Sequence, residues 1–238
     1  MKTRSGKITT ERVDDNKPNK EKEKFEEYLN FYENVLLKVS MSIKTLEELT
    51  KTTKAVKIFQ RKSPAFFECV IDNFWAQSVI GLDECFHGEH YPIGKFLNYV
   101  ESNWNKIFTG QWIETVNWDD GTVDTKRIQY KRTEIFQRIQ EARNILVEKE
   151  SVVSRIKAFR DKVFAHIDKH FPEEDLELIE LREIFDVVEK TVNYIGTMYD
   201  YVYKSFEPVN SNDVRNLINI IEIYYNNRAE INKLRWGK

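Results

Sequence analysis

The chain has 238 residues, of which 41% are hydrophobic and 13% aromatic, and its formal net charge is −2. This composition is typical of a globular protein with a sizeable core, and it excludes a largely disordered chain. The near-neutral charge gives no overall attraction to nucleic acid or anionic lipid, so any polyanion site must be a local patch. The low counts of 8 glycines and 5 prolines favour mainly helical structure.

The amino terminus lacks the features of a secretory signal, because "MKTRSGKITT" carries charge without an apolar core after it. The most apolar stretch, "FFECVIDNFWAQSVIGLDECF", contains four acidic residues. A membrane span rarely tolerates them, since charges at bilayer depth cost several kcal/mol. Cys69 and Cys85 are interpreted as free thiols, because a large core needs no disulfide. We therefore expect a soluble, cytoplasmic protein without a membrane partner.

The first half of the chain predicts a tail followed by three helices. Residues 1–20 are polar and predict a disordered tail, and residues 21–238 predict a single helical domain. The first helix is indicated by apolar residues at spacings of three and four, namely Phe25, Tyr28, Leu29, Tyr32, Val35, Leu36 and Val39. The second is predicted to begin with Ser63 as N-cap and Pro64 at the first helical position, and to end near Phe86. "HGEHYPIG" interrupts the pattern, and "KFLNYVESNWNKIF" predicts a shorter third helix.

The segment "TGQWIETVNWDDGTVDTKRIQY" is the least helical part of the chain. Asp120 and Gly121 lie between flanks rich in Thr, Val and Trp, a pattern typical of a β-hairpin turn. A loop without strands fits the pattern equally well. Residues 111–126 therefore predict a small hairpin or a loop within an otherwise helical chain.

Helical periodicity resumes near Arg132 and continues to about His170, with a break near residue 150. Phe171-Pro172 ends it, because the residue before a proline disfavours the helical conformation. "EEDLELIELREIFDVVEKTVNYIGTMYDYVYKSF" then predicts a long helix, and "NSNDVRNLINIIEIYYNNRAEI" predicts a last one. We find no internal repeat and no linker, so the predicted fold class is all-α.

Two polar residues, Arg160 and His166, interrupt the apolar face of the helical stretch that follows Arg132. That face consists of Ile135, Ile139, Ala142, Leu146, Val153, Ile156 and Val163. Arg160 follows Ile156 by four residues, and His166 follows Val163 by three. Since a buried guanidinium cannot be neutralised, Arg160 must pair with a buried carboxylate, extend to the surface or line a cleft.

Helix geometry limits what these two residues can do together. Six residues of α-helix place Arg160 and His166 about 120° apart and about 9 Å apart along the axis. They would not meet on a small ligand if one straight helix carried both. A break in the helix, or a second copy of the motif across a dimer axis, would bring them together.

The stretch from Arg160 to His166, "RDKVFAH", fits the R-x(4–6)-H motif of the HEPN superfamily, including a polar residue directly after the arginine. The longer "RDKVFAHID" resembles the branch found in abortive-infection and toxin–antitoxin proteins. Upstream, "FFECVIDNFWAQSVIGLDECF" is similar to the helix that packs beneath the motif in that branch, and the downstream "LIELREIFDVVEKTVNYIGTMYDYV" fits its usual context. The resemblance covers about residues 60–205.

This resemblance implies a HEPN-like helical bundle with additional helices, which forms a homodimer with two Arg/His motifs in one cleft. Many HEPN proteins are metal-independent endoribonucleases, so the implied function is RNA cleavage in phage defence or as the toxin of a toxin–antitoxin pair. His166 would be the general acid/base, Arg160 would hold the scissile phosphate, and Asp161 would orient one of them. Lys157 and Lys162 would contact flanking phosphates. An antitoxin protein is a further implied partner, and no cofactor or metal is expected.

Two other interpretations of the motif remain open. Some HEPN domains bind without cleaving, so the alternative is a non-catalytic RNA- or protein-binding module that uses the same cleft. In the third interpretation the bundle is purely structural, Arg160 pairs with an acidic residue and His166 belongs to the core.

Two sets of residues have the spacing of metal ligands. His166 and His170 are four residues apart and share a helix face, and Cys85, His87 and His90 lie together in "ECFHGEH". Neither set has an evident complement of further ligands, and a polar loop after a helix explains the second set more simply.

Overall fold

The computed structural model describes residues 19–50, 56–57, 60–61, 63–108, 112–116, 123–127, 130–161, 176–200, 204–206 and 212–227. Over these residues the elements in chain order are α1 (Lys20–Thr50), α2 (Pro64–His87), α3 (Ile93–Ile107), β1 (Trp112–Val116), β2 (Val123–Arg127), α4 (Arg132–Val147), α5 (Glu150–Phe159), α6 (Leu178–Asp200) and α7 (Asn212–Asn226). The predicted all-α helical bundle is confirmed. No helix among the described residues is long and apolar enough to cross a membrane.

Helix α1 begins where an asparagine can cap it. The Oδ1 atom of Asn19 accepts hydrogen bonds from the backbone N–H groups of Glu21, at 3.1 Å, and Lys22, at 3.2 Å. Asparagine is a favoured N-cap because its side chain satisfies donors that the first turn leaves unpaired. The helix therefore starts at Lys20, the last residue of the predicted tail, and residues 1–18 lie outside the described part of the chain.

Helix α2 begins at the predicted residue. Ser63 occupies the N-cap position and Pro64 the first helical position, but the Ser63 side chain makes no capping hydrogen bond. The proline alone marks the start, since its fixed φ suits the first turn and its missing N–H removes a donor that the helix cannot use. At the other end, the N–H of Gly88 donates to the backbone oxygen of Glu84 at 3.1 Å, and the helix ends at His87, one residue beyond the prediction.

Helix α1 is the centre of the core and contacts α2, α3 and α6. The apolar residues that predicted this helix are buried, except for the partly buried Val35: Phe25, Tyr28, Leu29, Tyr32, Leu36 and Val39. The Phe25 ring lies 5.8 Å from the ring of Phe96 on α3 and 5.7 Å from that of Phe108. The amphipathic stripe of α1 thus covers three neighbouring helices.

Helix α7 is attached to a smaller apolar cluster at the end of α1. That cluster consists of Leu49, Val56, Phe67 and Ile218. Arg215 on α7 also donates to the buried carboxylate of Glu48 on α1, with 2.6 Å between Nη2 and Oε1. One apolar contact surface and one ion pair therefore join the last helix to the bundle.

The segment predicted as a hairpin or a loop, residues 111–126, contains two strands. β1 and β2 pair antiparallel, with Val116 opposite Val123 at the end nearest the turn. Asp120 and Gly121, the predicted turn residues, lie outside the described residues. The described residues between α3 and α4 therefore include an antiparallel pair of short strands.

The predicted break near residue 150 separates α4 from α5. Helix α4 ends at Val147, residues 148–149 form a turn, and α5 begins at Glu150. The predicted apolar face is buried at Ile135, Ile139, Ala142, Val153 and Ile156. Leu146 is partly buried, and Val163 lies outside the described residues. The helical period thus predicted the inward face of both helices correctly.

Helix α2 packs against α5 and brings its carboxyl end beneath the motif. The rings of Trp75 and Phe159 lie 6.4 Å apart at this contact. Beyond Phe159, Arg160 continues the helical conformation, and its backbone N–H donates to the backbone oxygens of Ile156 and Lys157. The rest of the predicted helix, residues 162–170, and its stop at Phe171-Pro172 lie outside the described residues.

Candidate functional site

The guanidinium of Arg160 lies between two carboxylates. Its Nη1 group donates to Oδ2 of Asp83 on α2, and its Nε and Nη2 groups donate to Oδ1 of Asp161 at 2.9 and 2.6 Å. The Asp83 side chain is only 2% exposed, whereas the Arg160 side chain is 32% exposed. Arg160 therefore combines two of the predicted arrangements, since it pairs with a buried carboxylate and still reaches solvent.

Asp83 lies on the buried face of α2, next to Leu82 and four residues after Val79. A carboxylate in such a place is costly unless it is paired and hydrogen-bonded. Arg160 contacts one of its oxygens, across 77 residues of sequence, and His87 contacts the other. The packing of α2 on α5 therefore requires partners for Asp83. Both partners have side chains that are partly exposed to solvent.

His87 is the second partner of Asp83. Its Nδ1 atom lies 2.9 Å from Oδ1 of Asp83, one helical turn earlier, and its side chain is 30% exposed. A carboxylate can only accept hydrogen bonds, so Nδ1 carries the hydrogen in this contact. Among the residues that the structure describes, Nε2 of His87 makes no hydrogen bond. Within the described part of the chain the ring is thus held through Nδ1 alone.

The charges around Arg160 do not balance. One guanidinium faces two carboxylates, and the hydrogen bond to Arg160 lowers the pKa of the Asp161 carboxyl. The hydrogen bonds to Asp161 and the charge of Asp83 raise the pKa of Arg160 in turn. Within this cluster the described groups are two carboxylates and one guanidinium, whose formal charges sum to −1.

The described residues include three of the five predicted site residues. Arg160 and Asp161 contact each other, and Lys157 is exposed on α5 and helps to lower the pKa of Asp161. Lys162 and His166 lie outside the described residues. The roles predicted for all five residues stay predictions.

The set Cys85, His87 and His90 does not converge on a metal-binding position. The Cys85 side chain is fully buried in the core, and burial raises the pKa of its thiol, which disfavours the thiolate that a metal needs. His90 is 76% exposed, and the other candidate, His170, lies outside the described residues. Where the chain is described, no three His, Cys, Asp or Glu side chains are placed to hold a metal ion. Both cysteines, Cys69 included, are free thiols as predicted.

Sequence analysis missed Asp83 and His87 as members of this site. A signal was present, because Asp83 falls at helical spacing with Val79 and Leu82 on the apolar face of α2. His87 follows Asp83 by four residues and therefore shares that face. This is the same conflict that singled out Arg160, an ionised group within an apolar stripe.

Comparison with known proteins identifies the family. A model of the HEPN family described as AbiU2 matches residues 22–227, which extends beyond residues 60–205 on both sides. The match runs from the first turn of α1 to the end of α7 and includes Asp83, His87 and the stretch from Arg160 to His166. No curated protein and no solved structure matches the chain. Since the family model covers most of its length, the chain belongs to the AbiU2 family, in the abortive-infection branch of the HEPN superfamily.

Proposed function

We propose that the protein is a metal-independent endoribonuclease that acts in the cytoplasm during abortive infection, in phage defence or as the toxin of a toxin–antitoxin pair. The observation that carries this proposal is the position of the Arg160 guanidinium. It is bound to the buried carboxylate of Asp83, while 32% of the Arg160 side chain stays exposed. A group that binds a transition state works best when its orientation is fixed before the substrate arrives. RNA would be cleaved in the cleft of a homodimer that contains two Arg/His motifs.

The proposed reaction needs the residue types of the motif. The ribose 2′-OH attacks the adjacent phosphorus, the bond from phosphorus to the 5′-oxygen breaks, and the products are a 2′,3′-cyclic phosphate and a 5′-OH end. A base takes the proton of the 2′-OH, and an acid delivers one to the 5′-oxygen. His166 supplies an imidazole for this proton transfer, and Arg160 stabilises the negative charge on the phosphate oxygens. Lys157 and Lys162 contact flanking phosphates.

Asp161 has a specific part in this proposal. It occupies the Nε and Nη2 edge of Arg160, which is the edge that binds a phosphate with two parallel hydrogen bonds. Arginine has five N–H groups, of which three contact carboxylates, and the other two have no partner among the described residues. Asp161 therefore holds the guanidinium in place until the phosphate replaces it or joins it.

A non-catalytic module that binds RNA or a protein, such as an antitoxin, is the second candidate. The pairing of Arg160 with two carboxylates favours it, because a guanidinium so satisfied needs no transition state to explain it. This candidate predicts that RNA or the protein partner binds with unchanged affinity whether or not His166 is present, and that no cleavage products form.

Cleavage of RNA by the purified protein in excess EDTA tests the proposal. The wild type is compared with His166→Ala and Arg160→Ala, and Arg155→Ala is the matched control. Arg155 lies on the same helix, is 29% exposed and pairs with Glu180 of α6. Circular dichroism and light scattering report fold and oligomeric state for each variant.

The proposal predicts that a dimeric wild type and the Arg155 control cleave RNA in EDTA, leaving 2′,3′-cyclic or 3′-phosphate ends. It also predicts that both motif variants are inactive. Equal cleavage by all four proteins would indicate a contaminating nuclease and contradict the proposal. A folded wild type that binds RNA without product would favour the binding module.

A further inference from the structure

His87 is placed to take part in chemistry at the site, although the family motif does not contain it. It lies at the carboxyl end of α2, and Asp83 holds its Nδ1 atom at 2.9 Å. The same carboxylate holds Arg160, with Oδ1 facing the imidazole and Oδ2 facing the guanidinium. Because both groups bind the two oxygens of one carboxylate, the imidazole and the guanidinium lie close together, on either side of Asp83.

The proposed cleavage moves two protons in opposite directions. One leaves the 2′-OH and one arrives at the 5′-oxygen, so the step needs one group that accepts a proton and another that donates one. A carboxylate that holds one nitrogen of an imidazole fixes the tautomer and directs the other nitrogen at the substrate. Asp83 and His87 have this relation, the His87 side chain is 30% exposed, and Nε2 has no partner among the described residues.

We propose that His87 is a second proton-transferring residue of the ribonuclease site, with Asp83 as its positioning residue. The inference rests on the proposed function and adds to it a residue from α2. His87 supplies one of the two proton transfers. In that transfer the proton moves between Nε2 of His87 and an oxygen of the RNA, so no further reactant is required.

The charges that surround His87 agree with this role. The charged groups that face it are Asp83 on its own helix and Arg160 and Asp161 on the end of α5. Among the described residues these three groups are two carboxylates and one guanidinium, so His87 lies beside a cluster whose formal charges sum to −1.

The test uses His87→Asn and His87→Gln in the full-length protein, with His90→Asn as the matched control. The amide nitrogen of the Asn variant lies where Nδ1 lies in histidine, so it keeps the hydrogen bond to Asp83 but cannot carry a proton. His90 lies three residues after His87, beyond the end of α2, and is 76% exposed. For each protein, kcat and KM are measured in EDTA across the pH range.

We expect both His87 variants to lose kcat by on the order of 10²–10⁴-fold and to lose one limb of the bell-shaped pH profile. The His90 variant should keep the wild-type profile. An RNA with sulfur in place of the bridging 5′-oxygen then assigns the step, because a thiolate leaves without protonation. If the His87 variants cleave this RNA as well as the wild type does, His87 is the acid. If they do not, and one limb of their pH profile is still missing, His87 is the base.

The inference is overturned if His87→Asn cleaves at the wild-type rate, or if its rate is lower by the same factor at every pH. Either result would mean that His87 only supports Asp83. If His166→Ala abolishes cleavage while the His87 variants keep both limbs, the proposed function stands and this inference alone fails. If a folded wild type cleaves no RNA, both fail together.

Discussion

Helix α5 contains two arginines of similar exposure in different surroundings. Arg155, 29% exposed, pairs with Glu180 at the start of α6, and Arg160, 32% exposed, pairs with Asp83 and Asp161. The second oxygen of Glu180 accepts the N–H of Glu177 at 2.9 Å, so this carboxylate also caps the first turn of α6. The Arg155 pair therefore serves the junction of two helices.

The Arg160 pair joins the end of α5 to α2 through a buried carboxylate. Asp83 lies within α2, and among the described residues its carboxylate contacts Arg160 and His87 and caps no helix. Burial of the Asp83 carboxylate is costly, and the side chains of its partners, Arg160 and His87, are both partly exposed to solvent. The comparison teaches that an ion pair is evidence for function when the fold would be simpler without it. The predictions that follow contrast the two arginines.

The largest effect is expected for the pair of Asp83 and Arg160. Arg160→Ala should lower the free energy of unfolding by about 1–3 kcal/mol, because a buried carboxylate keeps only His87 as partner. The double variant Asp83→Asn with Arg160→Gln should recover most of this stability, since no buried charge is left unpaired. Its ribonuclease activity should stay lower by about 10²–10³-fold, because the phosphate ligand is missing. Urea unfolding and cleavage assays measure the two quantities.

Comparison of the single and double variants of Asp83 and Arg160 separates a structural role of the arginine from a functional one. If the double variant recovers stability and activity together, Arg160 serves only the fold and the proposed function is wrong. The single variant Asp83→Asn is the control, because it keeps the guanidinium while removing the charge that orients it.

A smaller effect is expected for Asp161→Asn. Removal of this negative charge beside the phosphate should lower KM for RNA by on the order of tenfold at low salt. Because Arg160 would also lose a charged partner that orients it, kcat should fall by several-fold. Steady-state kinetics at two salt concentrations measure both constants. A rise in KM would show that Asp161 contacts RNA favourably and would contradict its proposed competition with the phosphate.

The Arg155 pair should contribute less. Arg155→Ala should lower the free energy of unfolding by about 0.2–1 kcal/mol, since both members of the pair are partly exposed to solvent. Ribonuclease activity should be that of the wild type. Urea unfolding of Arg155→Ala beside the Arg160 variants tests the difference. A larger loss of unfolding free energy for Arg155→Ala than for Arg160→Ala would contradict this prediction.

The smallest expected effect is a change in how the stability of the fold depends on pH. Burial tends to raise the pKa of Glu180, but the hydrogen bonds from Glu177 and Arg155 outweigh it, and the pKa is lowered. A carboxyl with a lowered pKa stabilises the fold above its unfolded pKa, about 4.3 for glutamate, and this contribution is lost as the pH falls. Glu180→Gln should therefore unfold with a weaker pH dependence below that pH. Thermal unfolding at pH 3 to 7 measures it, and an unchanged dependence would contradict the assignment.

Much of the fold could be predicted because its signals are local. Pro64 marks the start of α2, and the turn after Val147 was visible as a break in the helical period. The hairpin between α3 and α4 was predicted only as one of two outcomes, since two short strands depend on pairing that no local pattern guarantees. Ser63 shows the limit of such signals, because it occupies the N-cap position without the expected hydrogen bond.

The sequence by itself determined the all-α class, the apolar faces of the helices and the motif that begins at Arg160, because spacing along one helix decides them. It also contained the conflict of a charge within an apolar stripe. Only the tertiary structure decided how that conflict is resolved, since Asp83 is 77 residues away and meets Arg160 through the packing of α2 on α5. His87 enters the site for the same reason. Helical periodicity decides which face a residue occupies, whereas packing decides which residue it meets.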